Sequence, residues 1–93
     1  MSAKRDHIEI IHDMLKVMSE KGEKTKPTHI LCKANLSHEM FTEYMNEILT
    51  KNLAEKREDN KGKVTYALTQ KGFSYLKDYS AIKGFMDSYG MKE

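Results

Sequence analysis

The sequence predicts a small α+β domain, mainly helical, in the order helix, helix, helix, hairpin, helix. Three observations predict it. The stretch Lys26 to Asn52 reads as a short helix, a tight turn and a longer amphipathic helix, the grammar of a helix-turn-helix. Past Lys63 the apolar period falls to two: Val64, Tyr66 and Leu68 alternate with Lys63, Thr65 and Ala67, the pattern of a strand. Thr69 then opens a last helix with the hydroxyl device already present at Ser37, a side-chain oxygen that accepts from a free backbone N–H of the first turn.

In helix 1, Ile8, Ile11, Leu15 and Met18 recur every three or four residues and Met14 fills the same stripe, while Asp6, Glu9, Asp13, Lys16 and Glu20 face away. Gly22 ends it, in the left-handed conformation that helix ends often need. Pro27 suits a first helical position because its missing N–H has no partner there anyway, so helix 2 starts again at once. It runs from about Thr28 to Ala34. Ile30, Leu31 and Ala34 point inward and Cys32 is half-buried. In helix 3, Leu36 precedes the Ser37 cap and can pack on Phe41 as a hydrophobic staple. Phe41, Tyr44, Met45, Ile48 and Leu49 then commit one face to a core.

The hairpin pairs Leu53 to Glu58 with the Val64 strand, and the Asn and Gly of Asp59-Asn60-Lys61-Gly62 supply positive φ in the loop. In helix 4, Leu68 is placed to staple on Phe73, and the missing Cβ of Gly72 permits close approach to a neighbouring element. Tyr75, Tyr79, Ile82, Met86 and Tyr89 continue it at spacings of four, three, four and three, a two-heptad seam that a second copy would cover. Gly84 weakens this stretch, and a break there would instead let the tail from Phe85 fold back on its own domain.

A chain of 93 residues and 10.8 kDa holds one modest core and gains from a partner. With 39% hydrophobic and 32% charged residues it should fold rather than stay disordered. No apolar run approaches the length of a membrane span, and MSAKRDHIEI lacks the apolar block of a signal peptide. The single cysteine, Cys32, fits a reducing, cytoplasmic compartment. A formal charge of +2 hardly argues for nucleic acid, so any basic signal must come from placement.

The element order is that of a winged helix-turn-helix: a three-helix core, a two-stranded β-wing and a C-terminal helix. On RDHIEIIHDML in helix 1, ILCKANLS across the turn, Lys51-Asn52-Leu53 at the exit of helix 3 and LTQKG opening helix 4, the chain resembles the small archaeal winged-helix DNA-binding proteins of the crenarchaeal ten-kilodalton chromatin-associated type. The likeness spans about residues 5 to 80. It implies double-stranded DNA as partner, no cofactor, a nucleoid-associated location and a homodimer joined through antiparallel C-terminal helices. It divides the chain into a winged core, 1–72, and a dimerising helix, 73–93.

Carried over by position, Ser37 to Asn46 becomes the recognition helix, with His38, Thr42 and Asn46 toward DNA, and Lys56 to Lys63 becomes the wing. The wing's Lys56, Arg57, Lys61 and Lys63 form the most basic local surface. Lys33 at the turn and Lys4 with Arg5 add phosphate contacts if they lie on the same side. Against this, Glu39, Glu43 and Glu47 make an acidic stripe along helix 3, and carboxylates oppose a helix lying among phosphates. A module that binds proteins through that stripe is therefore the rival reading. His29 and Cys32 share a helical face, but a tetrahedral metal site needs more ligands than this pair. No phosphate loop, nucleophile elbow or catalytic carboxylate pair is present, so no enzyme is expected.

Overall fold

The computed structural model describes residues 5–90. Four helices and one hairpin follow in the expected order: α1 (His7–Lys21), α2 (Pro27–Lys33), α3 (His38–Thr50), β1 (Ala54–Glu58), β2 (Val64–Leu68) and α4 (Gln70–Ser88). This is a winged helix.

Helix α1 is the hub, packed against α2, α3, β2 and α4. Elements on several sides widen its buried face beyond a single stripe, so Ile10 and Val17 are buried with Ile11, Met14, Leu15 and Met18. Ile8, expected in the core, is 55% exposed at the first turn. Asp6 and Glu9, expected merely to face solvent, form a capping box: the Asp6 carboxylate accepts from Glu9 N–H, and the Glu9 side chain accepts from Asp6 N–H. Gly22 ends the helix at φ 102, ψ −149, a region essentially closed to side-chain-bearing residues and distinct from the left-handed helical well.

Thr25 is wholly buried and forms an isolated antiparallel bridge with Tyr66, donating to its carbonyl (3.1 Å) and accepting from its N–H (2.8 Å). The link between α1 and α2 thus becomes a third strand-like edge of the wing.

The turn between α2 and α3 is closed by Asn35 at φ 57. Asn35 N–H donates to the Cys32 carbonyl (3.2 Å) and Leu36 N–H to the Leu31 carbonyl (2.9 Å), the two bonds of a Schellman motif. Asn52, at φ 61, repeats it at the end of α3: its N–H reaches Leu49 O (3.0 Å), and Leu53 N–H reaches Ile48 O (2.9 Å). Asparagine tolerates this conformation better than most residues with a Cβ. Ile30 is fully buried, while Cys32, two residues on and about 200° round the helix, is exposed rather than half-buried.

Ser37 caps α3 by accepting from Met40 N–H (3.1 Å), and Phe41, Met45 and Ile48 are buried beneath it. Tyr44 and Leu49 are partly buried against the same core. Each fully buried side chain, such as Ile48 or Leu15, contributes about 1.5–3 kcal/mol relative to exposure.

The strands pair antiparallel from Ala54 opposite Leu68 to Glu58 opposite Val64. Asp59 organises the loop between them, its carboxylate accepting from Lys61 N–H (2.9 Å) and Lys63 N–H (2.8 Å). Those two bonds hold its carboxyl below the usual range. Only Gly62 takes positive φ there, at 82; Asn60 does not, because the Asp59 turn already reverses the chain. Ala67 is buried although it alternates with Tyr66, so the base of β2 is covered on both faces.

Thr69 caps α4 by accepting from Gly72 N–H (3.1 Å) and donates its hydroxyl to Asn52 O (2.6 Å), tying the helix start to the end of α3. Gly72 fulfils its expected role, since a Cβ there would overlap the Leu53 carbonyl oxygen. Because Gly72 faces the base of the hairpin, Phe73 is turned about 100° away and is 55% exposed. The helix continues unbroken through Gly84 to Ser88, against the alternative of a break there.

Candidate nucleic-acid interface

On α3 the outward face presents Glu39, Thr42, Glu43, Asn46 and Thr50, with His38 exposed at its start and Lys33 exposed at the end of α2. The Thr42 hydroxyl donates to His38 O (3.0 Å). The expected acidic stripe is shorter than its spacing suggested, because Glu47 turns toward the domain: its Oε2 lies 2.8 Å from both Lys51 Nζ and His7 Nε2. Hydrogen bonds from Lys51 and then His7 hold its carboxyl below the usual range. Two exposed carboxylates, Glu39 and Glu43, remain on that face without an ion pair among the described residues.

Arg5 does not stand free for phosphate. Its guanidinium pairs with Asp13 (2.9 Å) and donates to the carbonyls of Ala34 (2.8 Å) and Asn35 (3.1 Å). It therefore braces the turn from behind, a role that a basic residue ahead of a helix does not reveal in sequence. Lys4 lies outside the described residues.

In the wing, the four expected cations differ. Arg57 is engaged by Glu55 (3.1 Å) and Glu23 (3.7 Å). Lys56, Lys61 and Lys63 are exposed and form no ion pair among the described residues. The Thr25 bridge adds what the sequence did not suggest: Lys24 and Lys26 line a shallow groove of about 330 Å³ together with Arg57, Glu58, Asp59, Lys63 and Thr65. Sequence shows these lysines only as linker residues, since one bridge pair leaves no period to read.

The five aromatic and aliphatic positions of helix 4 also divide. The Tyr75 hydroxyl donates to Ile8 O (3.2 Å), and Tyr79 stacks on His12 with ring centroids 4.0 Å apart, so both pack onto α1. Burial pushes both phenols up. Ile82, Met86 and Tyr89 are exposed, joined by Phe85, whose ring meets Tyr89 edge to face at 4.9 Å. Among the described residues no group of three or more His, Cys, Asp or Glu could hold a metal ion, and no helix is long and apolar enough to cross a membrane.

Known structures share this architecture. Sso10a-2, a DNA-binding protein from Sulfolobus solfataricus, superposes with a TM-score of 0.77 at 20% identity, over 92% of this chain and 87% of that one. The PcaV transcriptional regulator from Streptomyces coelicolor, solved with its natural ligand, gives 0.76 at 13% identity, over 87% and 58%. MepR, a transcription regulator of the Staphylococcus aureus multidrug efflux pump MepA, gives 0.72 at 12%, over 86% and 59%. The chain thus spans most of the Sulfolobus protein but under two thirds of these two regulators. No curated protein sequence matches significantly. The sequence profile of the winged helix-turn-helix family matches residues 4–87. With its capped turn and bridged hairpin accounted for over that same span, the chain belongs to the winged helix-turn-helix family.

Proposed function

We propose that this protein binds double-stranded DNA as a transcriptional regulator or chromatin-architectural factor, gripping phosphates mainly through the wing. The observation that carries the proposal is the wing itself, whose Lys56, Lys61 and Lys63 have no carboxylate partner among the described residues of a winged helix-turn-helix chain. Such lysines displace condensed counterions from a duplex. His38, Thr42 and Asn46 are exposed on α3 and have the chemistry for base or sugar contacts, and Lys33 for a phosphate beside the turn. Phosphate contact carries no sequence information, so the grip is largely sequence-independent. The archaeal chromatin-type resemblance points the same way, and no catalytic constellation competes with it.

The C-terminal half of α4 supplies the assembly. Ile82, Phe85, Met86 and Tyr89 form an exposed apolar face beyond the part of the helix that α1 covers, and we assign it to a homodimer that holds two wings apart for one duplex. Tyr75 and Tyr79 support that face from within their own chain. The described part of this C-terminal segment, 73–90, thus acts as both a packing and a dimerising element.

Titration of a random duplex at low and raised salt tests the DNA reading. Binding should be measurable at low salt and fall steeply as salt rises, and Lys61→Ala with Lys63→Ala should weaken all sequences alike. No binding even at low salt would remove the DNA reading and leave the exposed Glu39 and Glu43 as a protein-docking face.

A further inference from the structure

The wing is a two-stranded sheet joined by the Thr25 bridge, and its outer face is a second surface in which cations outnumber carboxylates. Thr25 pairs with Tyr66, and both side chains are buried on the core side. Side chains alternate along extended backbone, so Lys24 and Lys26 project to the opposite face. Arg57 and Thr65, paired across the strands, share that face, and Lys63 continues it two residues away. All three lysines are exposed and line the groove described above. Glu58 and Asp59 line the same groove, which so holds four cations against two carboxylates. Asp59 is bound by two loop amides, and Glu23 is placed on Arg57. Lys24, Lys26 and Lys63 make no ion pair among the described residues.

We infer that this outer face is a phosphate track, which binds the duplex backbone flanking the segment under α3, with Lys24 and Lys26 as contact residues supplied by the link between α1 and α2. The partner is double-stranded DNA because a row of four cations set against two carboxylates along one sheet face suits a repeating row of phosphates better than a single small anion. Glu23 moderates the track by occupying Arg57. The inference rests on the DNA reading and extends its footprint from the wing tip to the whole outer face.

The test measures affinity for a random duplex across a salt series for the parent, Lys24→Ala with Lys26→Ala, Glu23→Gln, and Lys83→Ala on α4 as a control. Thermal unfolding of each variant should match the parent, because all these side chains are exposed. The double-lysine variant should lower the slope of log affinity against log salt by about two, the control should leave it unchanged, and Glu23→Gln should tighten binding. A parent that binds with a slope unaltered by the double substitution overturns the track and leaves the wing-tip reading standing. A parent that does not bind overturns both.

Discussion

Helices α3 and α4 begin alike and end differently. Each opens on a hydroxyl cap that accepts from the third helical N–H, Ser37 from Met40 and Thr69 from Gly72, and each carries apolar residues at helical spacing. In α3 the stripe closes on its own core, with Ile48 fully buried. In α4 only the first half does so, through Gly72, Tyr75 and Leu76, with Tyr79 stacked on His12, and the second half leaves Ile82 60% and Phe85 63% exposed. A cap and a stripe say where a helix starts and which side is apolar. They do not say what covers that side, and a helix of 19 residues, about 28 Å long, simply outreaches the core beneath it.

The difference between the two helices should show most in assembly and stability. Ile82→Glu with Met86→Glu should convert a dimeric parent into a monomer of unchanged helix content, read by sedimentation and circular dichroism. Ile48→Ala, the same kind of position on α3, should instead cost about 2–5 kcal/mol in denaturant unfolding. A monomeric parent, or a doubly charged variant that stays dimeric, removes the exposed half of α4 as an interface.

The two glycines of α4 divide in the same way, one seated and one in open space. Gly72→Ala drives a methyl into the Leu53 carbonyl, and the backbone shift should destabilise by about 1–3 kcal/mol. Gly84→Ala meets open space within an exposed helix and should stabilise by up to about 1 kcal/mol. Unfolding midpoints of the two variants decide it, and equal shifts would mean that α4 is not seated on the hairpin at Gly72.

The smallest effect is a pH dependence at the closed end of α3. Glu47 has its carboxyl lowered by Lys51 and His7, so the folded chain releases that proton more readily than the unfolded chain. Its contribution is therefore fully present above the unfolded carboxyl value near 4.5 and is lost as pH falls through the lower folded one. Glu47→Gln should lower stability at neutral pH and match the parent in acid. No comparable dependence is expected from Ile82→Glu at the open end of α4.

Element order, both hydroxyl caps, the strand bounds within a residue and the glycine at the α4–hairpin contact were all legible in the sequence. Each depends on neighbours a few residues apart: a cap, a period of 3.6 or 2, a residue without Cβ. The wing lysines were legible as well, because a hairpin tip has little to pair with. Tertiary structure alone decided which charges are free. Arg5 lies on the carbonyls of Ala34 and Asn35, Glu47 on His7 forty residues away, and Arg57 on Glu23. It likewise decided that Lys24 and Lys26 join the wing, through one bridge at Thr25, and that Phe73 faces out because Gly72 faces in. Local chemistry sets backbone conformation over a few residues, whereas the partner of a long charged side chain depends on which distant segment the packing of the core brings within reach.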